Sequence, residues 1–293
     1  MSSSLLRPAR EDDAAAVAAI FNATFPVWRP TDDIEILTWL RNDEIGDENV
    51  RVLELDGRVA GYGDLWIENG RVELDVAAPG HWDTFLDWAE QRARDDGGTV
   101  NVRACFPHGH ELQEIVAGRG YAYWRSSFAM HIELDEPPVI PAFPEGMNAR
   151  PFDESESEIL RLGLNEAFSL DPFFHEVSPG NFREFFLRAR GYDPVLWTLV
   201  WDGDELAAFC LAWPTHGADE STGWIGTLGV RPSWRRRGIA SALLHNAFAL
   251  LYDRGLRSVG LGVDAENPNG AVALYVRAGM RERYRLDNYL LAV

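Results

Sequence analysis

Hydrophobic and polar positions along this chain form two matching series. In the first, the acidic run Glu11-Asp12-Asp13 precedes apolar residues at helical spacing that end near Phe25. Acids in a first turn complement the helix dipole, so this reads as a helix start. Two-residue alternation over 52–55 and 59–62 flanks Asp56-Gly57, which predicts a tight hairpin. A strand over 72–76, a helix over 82–94, a strand over 100–105 and a shorter helix over 112–120 complete the series.

The order then returns. Asp153-Glu154-Ser155 opens a helix running through Phe168; a hairpin of 199–201 and 206–211 turns at Asp202-Gly203. A strand over 224–230, a helix over 239–254, a strand over 259–263 and a short helix over 270–279 follow. Arg7-Pro8 recurs as Arg150-Pro151, Asp56-Gly57 as Asp202-Gly203, and Gly120 as Gly279, with an extra loop at 214–223. Residues 137–146 carry four prolines, which suits a stiff linker. The pattern predicts a duplicated α/β unit: a first domain over 1–136, the linker over 137–146, and a second domain over 147–293.

Composition narrows the class. At 293 residues and 46% apolar content, with 11 Trp and 15 Phe, there is material for two cores. A net charge of -19 argues against nucleic acid or an anionic membrane as partner and is compatible with a cationic amine. All 27 basic residues are arginine. Cys105 and Cys210 stand in no metal-ligand spacing, so neither a metal site nor a disulfide scaffold is expected. No signal-peptide core or membrane-length apolar run is present, and a cytoplasmic protein is expected.

The chemistry concentrates in one stretch. Leu228-Gly229-Val230 ends a strand, Arg231-Pro232-Ser233-Trp234 turns, and Arg235-Arg236-Arg237-Gly238-Ile239-Ala240-Ser241 leads into a helix. A basic loop feeding a helix N-terminus is a place to hold phosphate, because free N–H groups and the dipole both favour an anion there. Further on, Asn267-Pro268-Asn269-Gly270 precedes Ala271-Val272-Ala273-Leu274-Tyr275, with Asn269 as a candidate N-cap. Leu274 and Ala278 are expected to face inward, with Tyr275 one step round.

These two motifs resemble the acetyl-CoA signature, Arg/Gln-x-x-Gly-x-Gly/Ala, and the following Asn…Ala-x-x-Leu-Tyr-x-x-x-Gly-Phe motif of the GCN5-related N-acetyltransferases, with Met280 in the Phe place. Either Asn267 or Asn269 matches the family's Asn. The resemblance implies an α/β fold of two tandem GNAT-like domains, each a mixed, mostly antiparallel central sheet flanked by helices. It also implies acetyl-CoA as acyl donor, held at Leu228, Gly229, Val230, the loop from Arg235 to Ser241, and Asn267 or Asn269. Tyr275 would be the general acid for the departing thiolate, and a strand N–H would stabilise the oxyanion.

The family often places a Glu on the strand before the pyrophosphate loop; the strand 224–230 has no acid. Glu220, Asp219 and His216 in the preceding loop are the candidates for the base, as is water-relayed proton loss. The first half has no such loop: Asp75-Val76-Ala77-Ala78-Pro79-Gly80-His81-Trp82-Asp83 puts an acid where an anion would sit, and Val116 stands where Tyr275 would. It reads as a degenerate copy. His108 and His110 form at most a weak metal pair. The acceptor is expected to be a small-molecule amine, with a protein amine or a non-catalytic acyl-CoA sensor as alternatives. An aromatic lip from 168–190, with Phe173, Phe174, Phe182, Phe185 and Phe186, and the loop 214–223 would face it. A monomer or a homodimer is expected.

Overall fold

The structure is a computed structural model. It describes residues 4–25, 30–41, 45–68, 70–96, 99–104, 111–171 and 174–293. Cys105, His108, His110 and Phe173 lie outside the described residues.

The chain forms two compact units. The first comprises Met1–Phe128, Asp264–Glu266 and Tyr284–Val293; the second comprises Ala129–Val263 and Asn267–Arg283. In the first unit β1 (Ser4–Pro8), α1 (Ala14–Thr24) and α2 (Asp33–Leu40) precede β2 (Val50–Leu55), β3 (Arg58–Glu68) and β4 (Arg71–Ala77). Helix α3 (Trp82–Asp96), β5 (Thr99–Ala104), α4 (Glu111–Gly118) and the start of β6 (Ala122–Glu133) follow. The sheet order is β1-β2-β3-β4-β5, and residues 287–292 of the last strand, β12 (Arg281–Ala292), then pair antiparallel with β5.

The second unit repeats the plan with β7 (Met147–Pro151), α5 (Ser157–Phe168), the single-turn α6 (Pro179–Phe182), β8 (Trp197–Asp202), β9 (Glu205–Trp213) and β10 (Thr222–Val230). Helix α7 (Ile239–Asp253), β11 (Ser258–Asp264) and α8 (Ala271–Arg277) complete it. The strand order is β11-β10-β9-β8-β7, with the end of β6 beside β11. In each unit all described pairings are antiparallel except one, β4 with β5 and β10 with β11.

The repeat is physical as well as sequential. Arg7, one residue before the end of β1, pairs with Asp13 at 2.8 Å; Arg150, one residue before the end of β7, pairs with Glu156, with one bond at 2.9 Å. Each acid also accepts from the backbone at the start of the same turn, Asp13 from Arg10 and Glu156 from Asp153. Each arginine therefore ties a strand end to a helix start. The short helices close alike: Tyr121 N–H donates to Val116 O, and Met280 N–H to Tyr275 O, each at 3.0 Å. Val116 and Tyr275 thus occupy equivalent places.

Two local expectations shift. The first hairpin turns at Asp56-Gly57, both with positive φ, as expected. The second turns at Gly203-Asp204, because Asp202 still pairs with Glu205 and Gly203 (φ 60°) takes the first central position. Asn269 is not the N-cap of α8; Gly270 in the left-handed region fills that place.

Candidate active site

The site lies in the second unit and begins where two strands part. The β10–β11 ladder runs from Thr222↔Ser258 to Ile225↔Leu261 and stops, although β10 continues to Val230 and β11 to Asp264. A bulge between Ile225 and Thr227 leaves Gly226 as an extra residue in β10. Beyond it, residues 227–230 pair only with β9 among the described residues, so their other edge is open to an extended ligand. In the first unit the β4–β5 ladder also ends after four pairs, at Leu74↔Val102, but β4 carries no bulge.

Glycine on β10 serves ring packing. A Cβ on Gly229 would lie 2.3 Å from the Phe209 ring, and one on Gly226 2.5 Å from the Trp213 ring. Both rings lie against the strand because those positions have no side chain.

The loop that follows has a concave backbone with free N–H groups. Arg236 (φ 64°) and Gly238 (φ 86°) both have left-handed backbones, and nothing lies within 4 Å of where a Gly238 Cβ would stand. Successive turns of this kind gather N–H groups into a concavity. The first backbone bond of α7 runs from Ala242 N–H to Gly238 O, so the N–H groups of Ile239, Ala240 and Ser241 have no partner within the helix. The residue types and the open space fit a diphosphate.

The arginines divide their work. Arg231 bonds Glu166 and the Leu206 carbonyl and lies over the Trp234 ring. Arg235 bonds the carbonyls of Val230 and Ala167 and the Asn269 amide oxygen. Both side chains therefore hold the loop in place. Arg237 approaches Asp202 at 3.6 Å, both half-exposed. Arg236 is exposed and has no ion pair or hydrogen bond among the described residues, leaving its charge available.

Tyr275, rather than Leu274, is the buried residue of α8, at 7% exposure. The helix is so short that its deepest position decides the packing. Burial and the nearby Cys210 thiol raise the Tyr275 phenol well above its ordinary value, so it holds its proton. Cys210, itself pushed up to about 12 by burial, pairs with Leu228 across the β9–β10 ladder. Tyr275 therefore stands by the stretch of β10 that leaves the ladder. Asn267 accepts from Asn269 N–H at 3.0 Å, which shapes the loop before α8.

On the opposite side of the loop sequence, Glu220 is exposed and paired with Arg190 at 3.1 Å. His216 lies flat on Trp224, ring centroids 3.7 Å apart at 9°. Sequence reasoning missed the partner of that ring, His131 of β6, which meets Trp224 at 6.2 Å. Nothing in the local pattern around His131 signals it; only the strand pairing brings it there. The aromatic stretch is partly core: Phe182 is 3% exposed and stacks on Phe186 at 5.1 Å. No group of side chains among the described residues could hold a metal ion, and no described helix is long and apolar enough to cross a membrane.

The opened parallel pair, the left-handed loop and the free helix N-terminus all fall within one segment that resembles a known family. Residues 163–280 match the profile of the Acetyltransferase (GNAT) family, so the chain carries a GNAT domain there. A mycothiol acetyltransferase of Pseudarthrobacter chlorophenolicus is 32% identical over 67% of this chain and 62% of its own length. The chain therefore spans less than two thirds of that relative in the match. A mycothiol acetyltransferase of Geodermatophilus obscurus is 29% identical over 93% of this chain and 92% of its own. Among solved structures, a GCN5-related N-acetyltransferase from Sphaerobacter thermophilus aligns with a TM-score of 0.74 at 28% identity, covering 98% of this chain and 95% of that one. A tandem GNAT protein from the clavulanic acid biosynthesis pathway, at 16% identity, shares the fold over 99% of this chain and 98% of its own, with a TM-score of 0.72.

Proposed function

We propose that this chain is an acetyl-CoA-dependent N-acetyltransferase acting on a primary amine of a small molecule, with one active site, in the repeat over 147–293. The observation that carries the reading is the β10–β11 ladder that stops at Ile225↔Leu261 beside the free N-terminus of α7. In this reading the N–H groups from Arg236 to Ser241 and the Arg236 guanidinium hold the diphosphate. The open edge from Leu228 to Val230 pairs with the pantetheine arm, and an N–H there donates to the thioester oxygen. Acetyl-CoA, when bound, supplies an acyl group activated for direct attack by the amine. Tyr275 gives its proton to the departing sulfur, and Cys210, a protonated and fully buried thiol, takes no part. Asn267 and Asn269 shape the wall next to the cofactor.

The relatives named mycothiol acetyltransferases support a small-molecule acceptor ahead of a protein amine. In the first unit the corresponding helix start carries Asp83, which pairs with Arg119 at 2.9 Å, and Val116 fills the place of Tyr275. That unit supports the fold rather than a second reaction.

The test is thiol release from acetyl-CoA with 2-phenylethylamine, tyramine and glucosamine, alongside a lysine-containing peptide. Turnover of a small amine supports the proposal; turnover of the peptide alone moves the acceptor to proteins. Tight CoA binding with no turnover on any of them points to a sensor.

A further inference from the structure

Strand β10 carries no acid between Trp224 and Val230, and a histidine lies instead on the face of the sheet next to the end of the β10–β11 ladder. We propose that His216, laid flat on Trp224, accepts the proton of the attacking amine. This rests on the acetyltransferase reading above.

Trp224 is the residue before the last rung of the ladder and faces Gly260 across it. A Cβ on Gly260 would lie 2.6 Å from the Trp224 ring and 2.7 Å from His131 Nε2, so both rings cover that glycine on one face. The neighbouring Gly223 faces the other way, toward Leu251 of α7. An acceptor reaching the end of the ladder from the face away from α7 therefore meets Trp224 and the ring stacked on it. Stacking at 3.7 Å and 9° fixes the imidazole plane, and the paired backbone bonds of His216 and Asp219, 2.9 and 3.0 Å, fix its loop.

Among the described residues, Asp219 on its own loop acts electrostatically on His216, Glu220 beside it in sequence pairs with Arg190, and His131 of β6 with Arg283 of β12 stand around Trp224. Glu220 is exposed and held by Arg190. Asp219 takes two bonds from Ser221, at 2.8 and 2.6 Å; burial works to raise its carboxyl, but those bonds, a further one from the Thr222 side chain, and His216 outweigh it and hold it below the usual range. It stays charged, and that charge acts on His216. His131 is too weak a base: burial, with Arg283 beside it, lowers it to about 4 against the opposing pull of Asp219.

The step balances. The amine nitrogen bonds to the acyl carbon, and the carbon–sulfur bond breaks with its pair on sulfur. The surplus ammonium proton passes to His216, and the sulfur takes the Tyr275 proton. Solvent then carries the proton from His216 back to the Tyr275 oxygen.

His216→Phe keeps a ring on Trp224 and removes the proton acceptor. With whichever of 2-phenylethylamine, tyramine or glucosamine is turned over, kcat/KM is expected to fall roughly 10²-fold and lose its acid-side decline. CoA affinity by calorimetry stays as in the wild type. A second readout needs no turnover: in histidine ring ¹⁵N spectra of the free protein, the resonance lost in His216→Phe titrates at lower pH in Asp219→Asn. A wild-type rate and pH profile in His216→Phe overturns the proposal, as does an unmoved titration in Asp219→Asn. CoA binding by the wild type without turnover of any amine instead overturns the acetyltransferase reading, and this inference with it.

Discussion

Arg235 Nη1 donates to the Asn269 amide oxygen at 3.2 Å, joining the loop before α7 to the loop before α8. The same guanidinium bonds the Val230 carbonyl at 3.0 Å and the Ala167 carbonyl at 2.8 Å. One side chain thus fixes the end of β10, the end of α5 and the approach to Tyr275. Asn269→Ala removes a single bond of about 1 kcal/mol, so acetyl-CoA affinity should fall roughly fivefold with the fold intact. Arg235→Met removes the whole clamp and should cost more affinity together with a lower melting temperature. Calorimetry and thermal unfolding of both variants check this.

Gly229→Ala tests the ring packing under the open strand. Its Cβ would lie 2.3 Å from the Phe209 ring, which is fully buried and cannot swing aside freely. A loss of about 1–3 kcal/mol is expected, read as a shift in urea midpoint with an unchanged slope.

Tyr275→Phe keeps the ring and its burial and deletes only the hydroxyl. Turnover should drop by roughly 10²–10⁴-fold while acetyl-CoA affinity changes little. Full activity in this variant would remove the residue from the acid role.

The repeated arginine–acid pairs make an acid-sensitive seam. Arg7 holds Asp13, and Arg150 holds Glu156, below their usual carboxylate range. Groups lowered in the folded state stabilise it above their unfolded values, about 3.9 for Asp and 4.3 for Glu, and that stability is lost as pH falls through the folded values. Wild-type stability should therefore decline steeply below about pH 4. Asp13→Asn should be less stable at neutral pH and decline less steeply in acid, by denaturant titration across pH.

Much of this was legible in sequence, because turn chemistry and helix starts are local. Asp56-Gly57, the Gly120 and Gly279 helix closers, and the Arg7 and Arg150 openings mark the duplication without any tertiary information. The loop at Gly238 was legible for the same reason: a helix start needs only its own residues. The division of labour among the arginines was not. Arg235 reads as a phosphate ligand in sequence, yet it bonds the Ala167 carbonyl, and Arg231 of the preceding turn likewise meets Glu166 and Leu206, all distant in sequence. Asn269 likewise read as a cap, a role that Gly270 takes through its left-handed backbone. His131 was invisible, because its meeting with Trp224 depends on the pairing of a strand from the first half with β11.

The proposed function requires a single acyl-CoA site, at the loop from Arg235 to Ser241. Isothermal titration of the full chain with acetyl-CoA tests it most directly, comparing the wild type with Gly238→Glu, which places a carboxylate in the cradle and a side chain at φ 86°. One molecule should bind per chain in the wild type, and none should bind measurably in Gly238→Glu. Two sites per chain, or an affinity unchanged by the substitution, would contradict the account.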